Sequence, residues 1–216
     1  LAPPHFPYGP KAASVWESAW RIKIEGVEIR TLAPADALLF LCVHHSKHGW
    51  VSLGWIADLA QLIRVNPQLD ALSCFRQAER TGCLRMLRLG LTLVREFAEM
   101  PLPAAFAEAC EGDPVVKRLA RQIRSRLFRT VEARPSLFND WIVPLRTIDT
   151  VRGRVRYCVR RALTPTIDDR EFIDLPGKLT PLYALLRPLR LALQQGRRLL
   201  GDAPPAPPVK PGKFAR

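Results

Sequence analysis

The sequence lacks the features by which several large classes of protein are recognised. No apolar run reaches the roughly 20 residues that a membrane-spanning helix needs, and no basic start followed by an apolar run indicates a signal peptide. The five cysteines form no CxxC pair. An odd number of cysteines at apolar positions predicts reduced, buried thiols in a cytoplasmic protein, and it argues against a disulfide framework or a zinc ribbon.

Acidic residues are scarce in one long segment. Residues 117–161 contain 13 Lys or Arg and three acids, so this segment carries +10 of the net charge of +13. A field of that sign attracts phosphate groups, which makes nucleotides, nucleic acid and anionic lipid candidate partners. The alternative is a solvated, arginine-rich helix surface, because the segment has no known nucleic-acid motif.

The apolar pattern predicts a mainly α-helical, bundle-like domain with one short N-terminal β-hairpin. Residues 1–13 are Pro-rich and predicted to be irregular, residues 14–200 form the domain, and residues 201–216 are predicted to be a disordered Pro-rich tail. The 216-residue chain begins with Leu, which suggests a piece of a longer protein.

Local signals place the elements of this domain. Alternating apolar residues on both sides of Glu25 and Gly26 predict a hairpin over residues 21–31. Apolar spacings of three and four residues predict helices elsewhere. The predicted helices are two motif helices over 34–64, basic helices over 114–162 with Val151, Val155 and Val159 inward, and a C-terminal helix over 181–200.

The first motif helix ends in the run HHSKH, residues 44–48. On a helix, His44 and His48 share one face with Lys47 beside them, whereas His45 points about 100° away from His44. Two tryptophans and one acid follow in an otherwise apolar run: Trp50, Trp55 and Asp58. The run therefore offers polar groups on one helix and a possible partner on the next.

Metal and nucleophile chemistry fit this run poorly. A zinc-protease helix needs an acid between its histidines, and Lys47 would repel a divalent ion, although Asp58 is a conceivable third ligand. Ser46 cannot easily use a neighbouring histidine as its base, because adjacent residues on a helix diverge. We therefore assign no metal ligand and no catalytic residue to it.

Two interpretations of the run stay open. The face formed by His44, Lys47 and His48 could bind a phosphate or polarise a leaving group, with Trp50 or Trp55 as a wall and Asp58 as an orienting partner. Alternatively, the same groups satisfy one another in a buried polar network that holds two helices together.

The stretch TLAPADALLFLCVHHSKHGWVSLGWIADLAQLI resembles a segment of an uncharacterised bacterial nucleotidyltransferase family, often labelled nucleotidyltransferase family 5. That segment runs from an apolar helix to His-Gly-x-Lys-His-x-Trp and then Leu-x-Trp-x-x-Asp. His45 departs from it, where the family usually has glycine, and Gly54 stands where a lysine is frequent. The matching residues are His44, Lys47, His48, Trp50, Leu53, Trp55 and Asp58.

The resemblance extends to both sides of this segment. SVWESAWRIKIEGVEIRTL is similar to the helix and hairpin that precede it in the family, and the C-terminal helix is similar to a family signature, Tyr-x-Leu-Leu-Arg-Pro-Leu-Arg. Family members also carry an upstream nucleotidyltransferase core with a Gly-rich loop and an Asp-x-Asp pair, which this sequence lacks. The chain therefore resembles the C-terminal, mainly helical half of such a protein.

The resemblance implies a role in transferring a nucleoside monophosphate from an NTP to an unknown acceptor. Mg²⁺ and NTP are implied for the full-length family, and no cofactor is expected to bind this chain, which alone is expected to be inactive. Substrate- or nucleotide-facing candidates are His44, Lys47, His48, Trp50, Trp55 and Asp58. The alternatives are a nucleic-acid-binding module acting through residues 117–161, and a non-catalytic protein-interaction domain.

Overall fold

A computed structural model describes residues 17–98, 101–128, 142–165, 169, 173, 176 and 182–199. The predicted irregular start and the predicted disordered tail lie outside these residues. The chain forms two compact units, Leu1–Cys158 and Val159–Arg216. Within the described residues the elements are nine helices and one antiparallel hairpin, which confirms the predicted mainly α-helical fold.

The hairpin consists of β1 (Trp20–Ile24) and β2 (Val27–Thr31). Glu25 and Gly26 join the strands with φ angles of 49° and 83°, as a type I′ turn requires. In the observed register Ile22 lies opposite Ile29 and Ile24 lies opposite Val27. The apolar side chains thus share one face of the ribbon, and they are exposed.

The helix boundaries agree with the local sequence signals. The Ser52 side chain accepts a hydrogen bond at the start of the second helix, the Asp113 side chain does so at the start of the sixth, and Gly82 ends the third in the left-handed conformation. The helices are α1 (Pro34–Lys47), α2 (Leu53–Val65), α3 (Ala71–Thr81), α4 (Leu84–Phe97), α5 (Ala104–Ala109), α6 (Pro114–Leu127), α7 (Val143–Thr147), α8 (Val151–Leu163) and α9 (Tyr183–Leu199).

Helix α4 is the centre of the first unit. It contacts α1, α2, α3, α5, α6 and α7, and its residues from Leu89 to Val94 are all buried, as expected of a helix surrounded by others. Gly90 permits the closest approach, because a Cβ atom there would lie 2.8 Å from Cys42 Sγ and 3.2 Å from Trp50 Cη2. A larger residue at this position would push α4 away from α1 and from Trp50.

Two polar contacts fix the ends of the central helices. Asp36, in the first turn of α1, accepts hydrogen bonds from Ser18 Oγ and Gln77 Nε2, both at 2.6 Å. Asp149 accepts the backbone N–H groups of Leu84 and Arg85 at 3.0 and 3.1 Å, so it caps α4 from a distant part of the chain. Both carboxylates therefore satisfy donors that would otherwise be poorly solvated.

The predicted inward face of α8 is wrong. Val151, Val155 and Val159 are exposed, Val151 by 72%, and Gly153 and Tyr157 are buried instead. The physical reason is that Tyr157, which is 1% exposed, buries a larger apolar surface than a valine, and Gly153 is buried one turn earlier on the same side. The helix is rotated away from the face that the valine spacing indicates.

In the second unit, α9 presents two arginines to one carboxylate. Arg187 Nη1 and Arg190 Nε both pair with Asp169, the latter at 2.7 Å, and all three side chains are buried. The Tyr183 hydroxyl donates to the carbonyl of Ile173 at 2.9 Å. The arginines and tyrosine of the C-terminal signature are thus internal contacts of this unit.

Candidate functional site

The end of α1 is folded back on itself by two residues with positive φ angles. Gly49 and Trp50 have φ angles of 71° and 56°, and the backbone N–H of Trp50 donates to the carbonyl of His45 at 3.0 Å. This turn directs the Trp50 side chain into the core, where it is 1% exposed. Its indole Nε1–H donates to Ser46 Oγ at 3.1 Å, so Ser46 has a structural partner.

His45 is enclosed between two indole rings. Its ring is parallel to that of Trp55, with centroids 5.0 Å apart and an interplanar angle of 2°, and Trp50 meets it edge-on at 5.1 Å. The residue is 2% exposed. Burial, followed by the charges of His44 and His48, lowers the pKa of His45 to about 4, so this imidazole is neutral at pH 7.

His44 and His48 lie on the other side of the same turn. Their ring centroids are 4.8 Å apart, and the ring centroid of Trp55 lies 6.2 Å from that of His44 and 5.9 Å from that of His48. Phe40, one turn before His44, stacks on it at 5.9 Å. We name His44, Lys47, His48 and Trp55 the outer face, and His45, Ser46 and Trp50 the inner side.

The outer face is electrostatically positive because of its lysine. Partial burial, followed by the charge of Lys47, lowers the pKa of His44. Partial burial, followed by Lys47 and His44, lowers the pKa of His48. At pH 7 both imidazoles are therefore neutral hydrogen-bonding groups beside one ammonium group.

The structure brings together four of the six predicted site residues: His44, Lys47, His48 and Trp55. Trp50 lies behind the outer face, in the core. Asp58 is exposed on α2, and its carboxylate forms no hydrogen bond or ion pair with another described residue.

Sequence reasoning missed the enclosure of His45 and the contact of Phe40 with His44. The second was accessible, because Phe40 and His44 are four residues apart on one helix. The first depends on a turn with positive φ angles and on a ring from the next helix. His45, one of the two residues that depart from the family pattern, is thus the one that the two tryptophans enclose.

The described side chains do not offer the ligands of Mg²⁺, the metal that the family resemblance implies. Mg²⁺ prefers several oxygen ligands, carboxylates above all. Among the described residues no group of three or more His, Cys, Asp or Glu side chains could hold a metal ion. These residues therefore do not fit Mg²⁺.

The geometry defines a helical unit with a compact cationic and aromatic face at the end of one helix. Residues 1–99 of the chain match the model of a family described as an uncharacterised nucleotidyltransferase. The resemblance is confirmed for this part, which contains the hairpin and helices α1 to α4. The match ends before the C-terminal signature, whose resemblance stays a prediction.

Two further comparisons add no relative. No curated protein and no solved structure matches the chain. Within the described residues, no helix combines the length and apolar character needed to cross a membrane.

Proposed function

We propose that this chain is the helical part of a nucleotidyltransferase-like protein and that its outer face binds the phosphates of an NTP or of the acceptor. The observation that carries the proposal is the grouping of His44, His48 and Lys47 at one helix end, within the part that matches the family model. Lys47 supplies the charge, and the two neutral imidazoles supply oriented N–H donors.

Trp55 gives the outer face a rigid wall. One face of its ring is held by His45, so the indole is ordered before a ligand arrives and loses little conformational freedom on binding. The inner side then has a supporting role: it sets the position of Trp55 and the direction in which His44 and His48 project. Asp58, one turn beyond Trp55, would contact a ligand that extends along α2.

The test is calorimetric titration of the 216-residue chain with the four NTPs and with tripolyphosphate. Lys47→Gln should weaken binding about tenfold or more, because a charged hydrogen bond to phosphate contributes about 1.5–3 kcal/mol. The matched control is Lys23→Gln, which removes an exposed lysine from β1 and should leave affinity unchanged. Equal affinities of both variants and the parent, or absence of binding at millimolar ligand, would contradict the proposal.

The pH dependence gives a second measurement. Phosphate favours the protonated imidazole, so it raises the pKa of His44 and His48 from the lowered values of the free protein. Affinity should therefore increase as the pH falls through the pKa of the complex, and it should level off below the pKa of the free protein. The double variant His44→Asn and His48→Asn should remove this dependence while Lys47 still contributes its charge.

A further inference from the structure

Helix α6 separates apolar and cationic residues completely. Its inner face is buried through Val116, Leu119 and Ile123, and the helix contains no acidic residue. Within the described residues, four of its five exposed cations form no ion pair with a carboxylate: Lys117, Arg118, Arg121 and Arg124. This part of the basic segment therefore presents uncompensated charge to solvent.

Three of these cations lie in one row. Lys117, Arg121 and Arg124 follow at spacings of four and three residues, which places them on one side of the helix. The row is about 10 Å long at 1.5 Å per residue, a length over which a nucleic-acid strand presents more than one phosphate. The row thus suits a linear polyanion better than a single phosphate group.

An aromatic ring stands at the end of the row. Phe128, four residues after Arg124, is 66% exposed, and its ring is stacked on Phe97 of α4 with centroids 5.8 Å apart and an interplanar angle of 24°. The ring is thus supported from behind and open to solvent. Cations along a backbone combined with an aromatic platform for a base are what single-stranded nucleic acid binding requires.

Other polyanions fit this surface less well. A duplex keeps its bases stacked on one another and offers no base face to Phe128, except at its ends. A helix that binds an anionic membrane needs a broad apolar face toward the lipid, whereas the outer row of α6 carries one large apolar side chain. The acidic side chains of a protein segment carry no flat ring to stack on the phenylalanine, whereas each nucleotide carries both a phosphate and a base.

We propose that Lys117, Arg121, Arg124 and Phe128 form a binding surface for single-stranded nucleic acid, with the cations on successive phosphates and Phe128 stacked against a base. The surface belongs to the first unit and lies outside the residues that match the family model. It shares no residue with the outer face at α1, so an experiment can contradict either proposal while the other holds.

The test is fluorescence anisotropy with labelled single-stranded and duplex oligonucleotides of the same mixed sequence, titrated at several salt concentrations. The triple variant Lys117→Gln, Arg121→Gln and Arg124→Gln should reduce the slope of log K against log salt by about 2, since each phosphate contact on a single strand contributes about 0.7. The matched control Arg64→Gln, Arg76→Gln and Arg80→Gln removes the same charge from exposed positions on α2 and α3.

Phe128→Ala should weaken single-strand binding about 5- to 150-fold, the loss of one stacked base, without changing the salt slope. Phe128→Leu keeps an apolar side chain without the ring and should lose as much. Four results would overturn the proposal: absent or salt-insensitive binding, equal losses in the two triple variants, duplex bound as tightly as the single strand, or unchanged affinity in both Phe128 variants. Preferential binding to vesicles with anionic lipid would overturn it too.

Discussion

The inner side and the outer face of the α1 end both contain histidine and tryptophan, in opposite environments. His45 is enclosed by two indole rings with a pKa of about 4, whereas His44, its neighbour in sequence, lies at the surface beside Lys47. The comparison teaches that a run of histidines on a helix is not one site. The backbone rotation of about 100° per residue divides it into a part that supports and a part that can bind.

The largest expected effect is on the inner side. Trp50→Ala should lower the free energy of unfolding by about 3–5 kcal/mol, because it removes a fully buried indole and leaves the Ser46 hydroxyl without its donor. Urea unfolding followed by circular dichroism measures this. Trp20→Ala, at a position 48% exposed, should cost less than about 1 kcal/mol. Similar losses in both variants would remove the distinction between core and surface tryptophans.

Acid should destabilise the protein through His45. Its pKa is about 4 in the folded protein against an ordinary value of 6.5, so the unfolded chain binds more protons between these values. The contribution of neutral His45 to the free energy of unfolding is fully present above pH 6.5 and is lost as the pH falls toward 4. This contribution is at most about 3 kcal/mol.

The variant His45→Phe isolates this contribution, because it keeps a stacked ring and removes the titrating group. Its unfolding free energy should depend less on pH between 6.5 and 4 than that of the parent protein. His44→Phe is the control and should retain most of the slope. If the unfolding free energies of the two variants depend on pH in the same way, His44 and His45 share one environment and the comparison fails.

Gly90→Ala should disturb the inner side from the direction of α4. Its Cβ atom would lie 2.8 Å from Cys42 Sγ and 2.9 Å from Leu59 Cδ2, and overpacking of this kind costs about 1–3 kcal/mol. The control Gly54→Ala places a Cβ atom at an ordinary 3.4 Å from Ser52 Oγ and should stabilise the exposed first turn of α2 by up to about 1 kcal/mol. Thermal unfolding measures this: the melting temperature should fall in Gly90→Ala and should stay equal or rise in Gly54→Ala.

The smallest expected change in stability is on the outer face. Lys47→Gln should change the free energy of unfolding by less than about 1 kcal/mol, as for other partly exposed ionic groups, although it should weaken phosphate binding. The opposite result, a large loss of stability with unchanged affinity, would favour a purely structural role for the cluster and a non-catalytic interaction domain.

Local features of this fold follow from the sequence. The hairpin with its turn at Glu25 and Gly26, the cap of Ser52 and the proximity of His44 to His48 depend on residues no more than a few positions apart. Such interactions are fixed by backbone geometry and spacing, whatever the rest of the chain does. The general helical class and the grouping of His44, Lys47 and His48 are predictable for that reason.

Other features depend on residues that meet only after folding. His45 is buried because Trp55 arrives from the next helix, and α8 turns Tyr157 inward instead of its valines because of what packs against it. Asp149 caps a helix that begins 65 residues earlier in the chain. Spacing within one element contains no information on such contacts, so the sequence alone indicated the wrong face for α8.

The cap that Asp149 provides shows that the family match and the cooperatively folded unit do not have the same extent. The part of the chain that matches the family model stops at residue 99, yet the first turn of α4 is completed by a carboxylate well beyond it. A protein shortened to its homologous part would lose this acceptor, and with α6 it would lose the cover over one side of its central helix. The end of the family match therefore falls inside a single folding unit, and we expect the two halves of that unit to unfold in one transition.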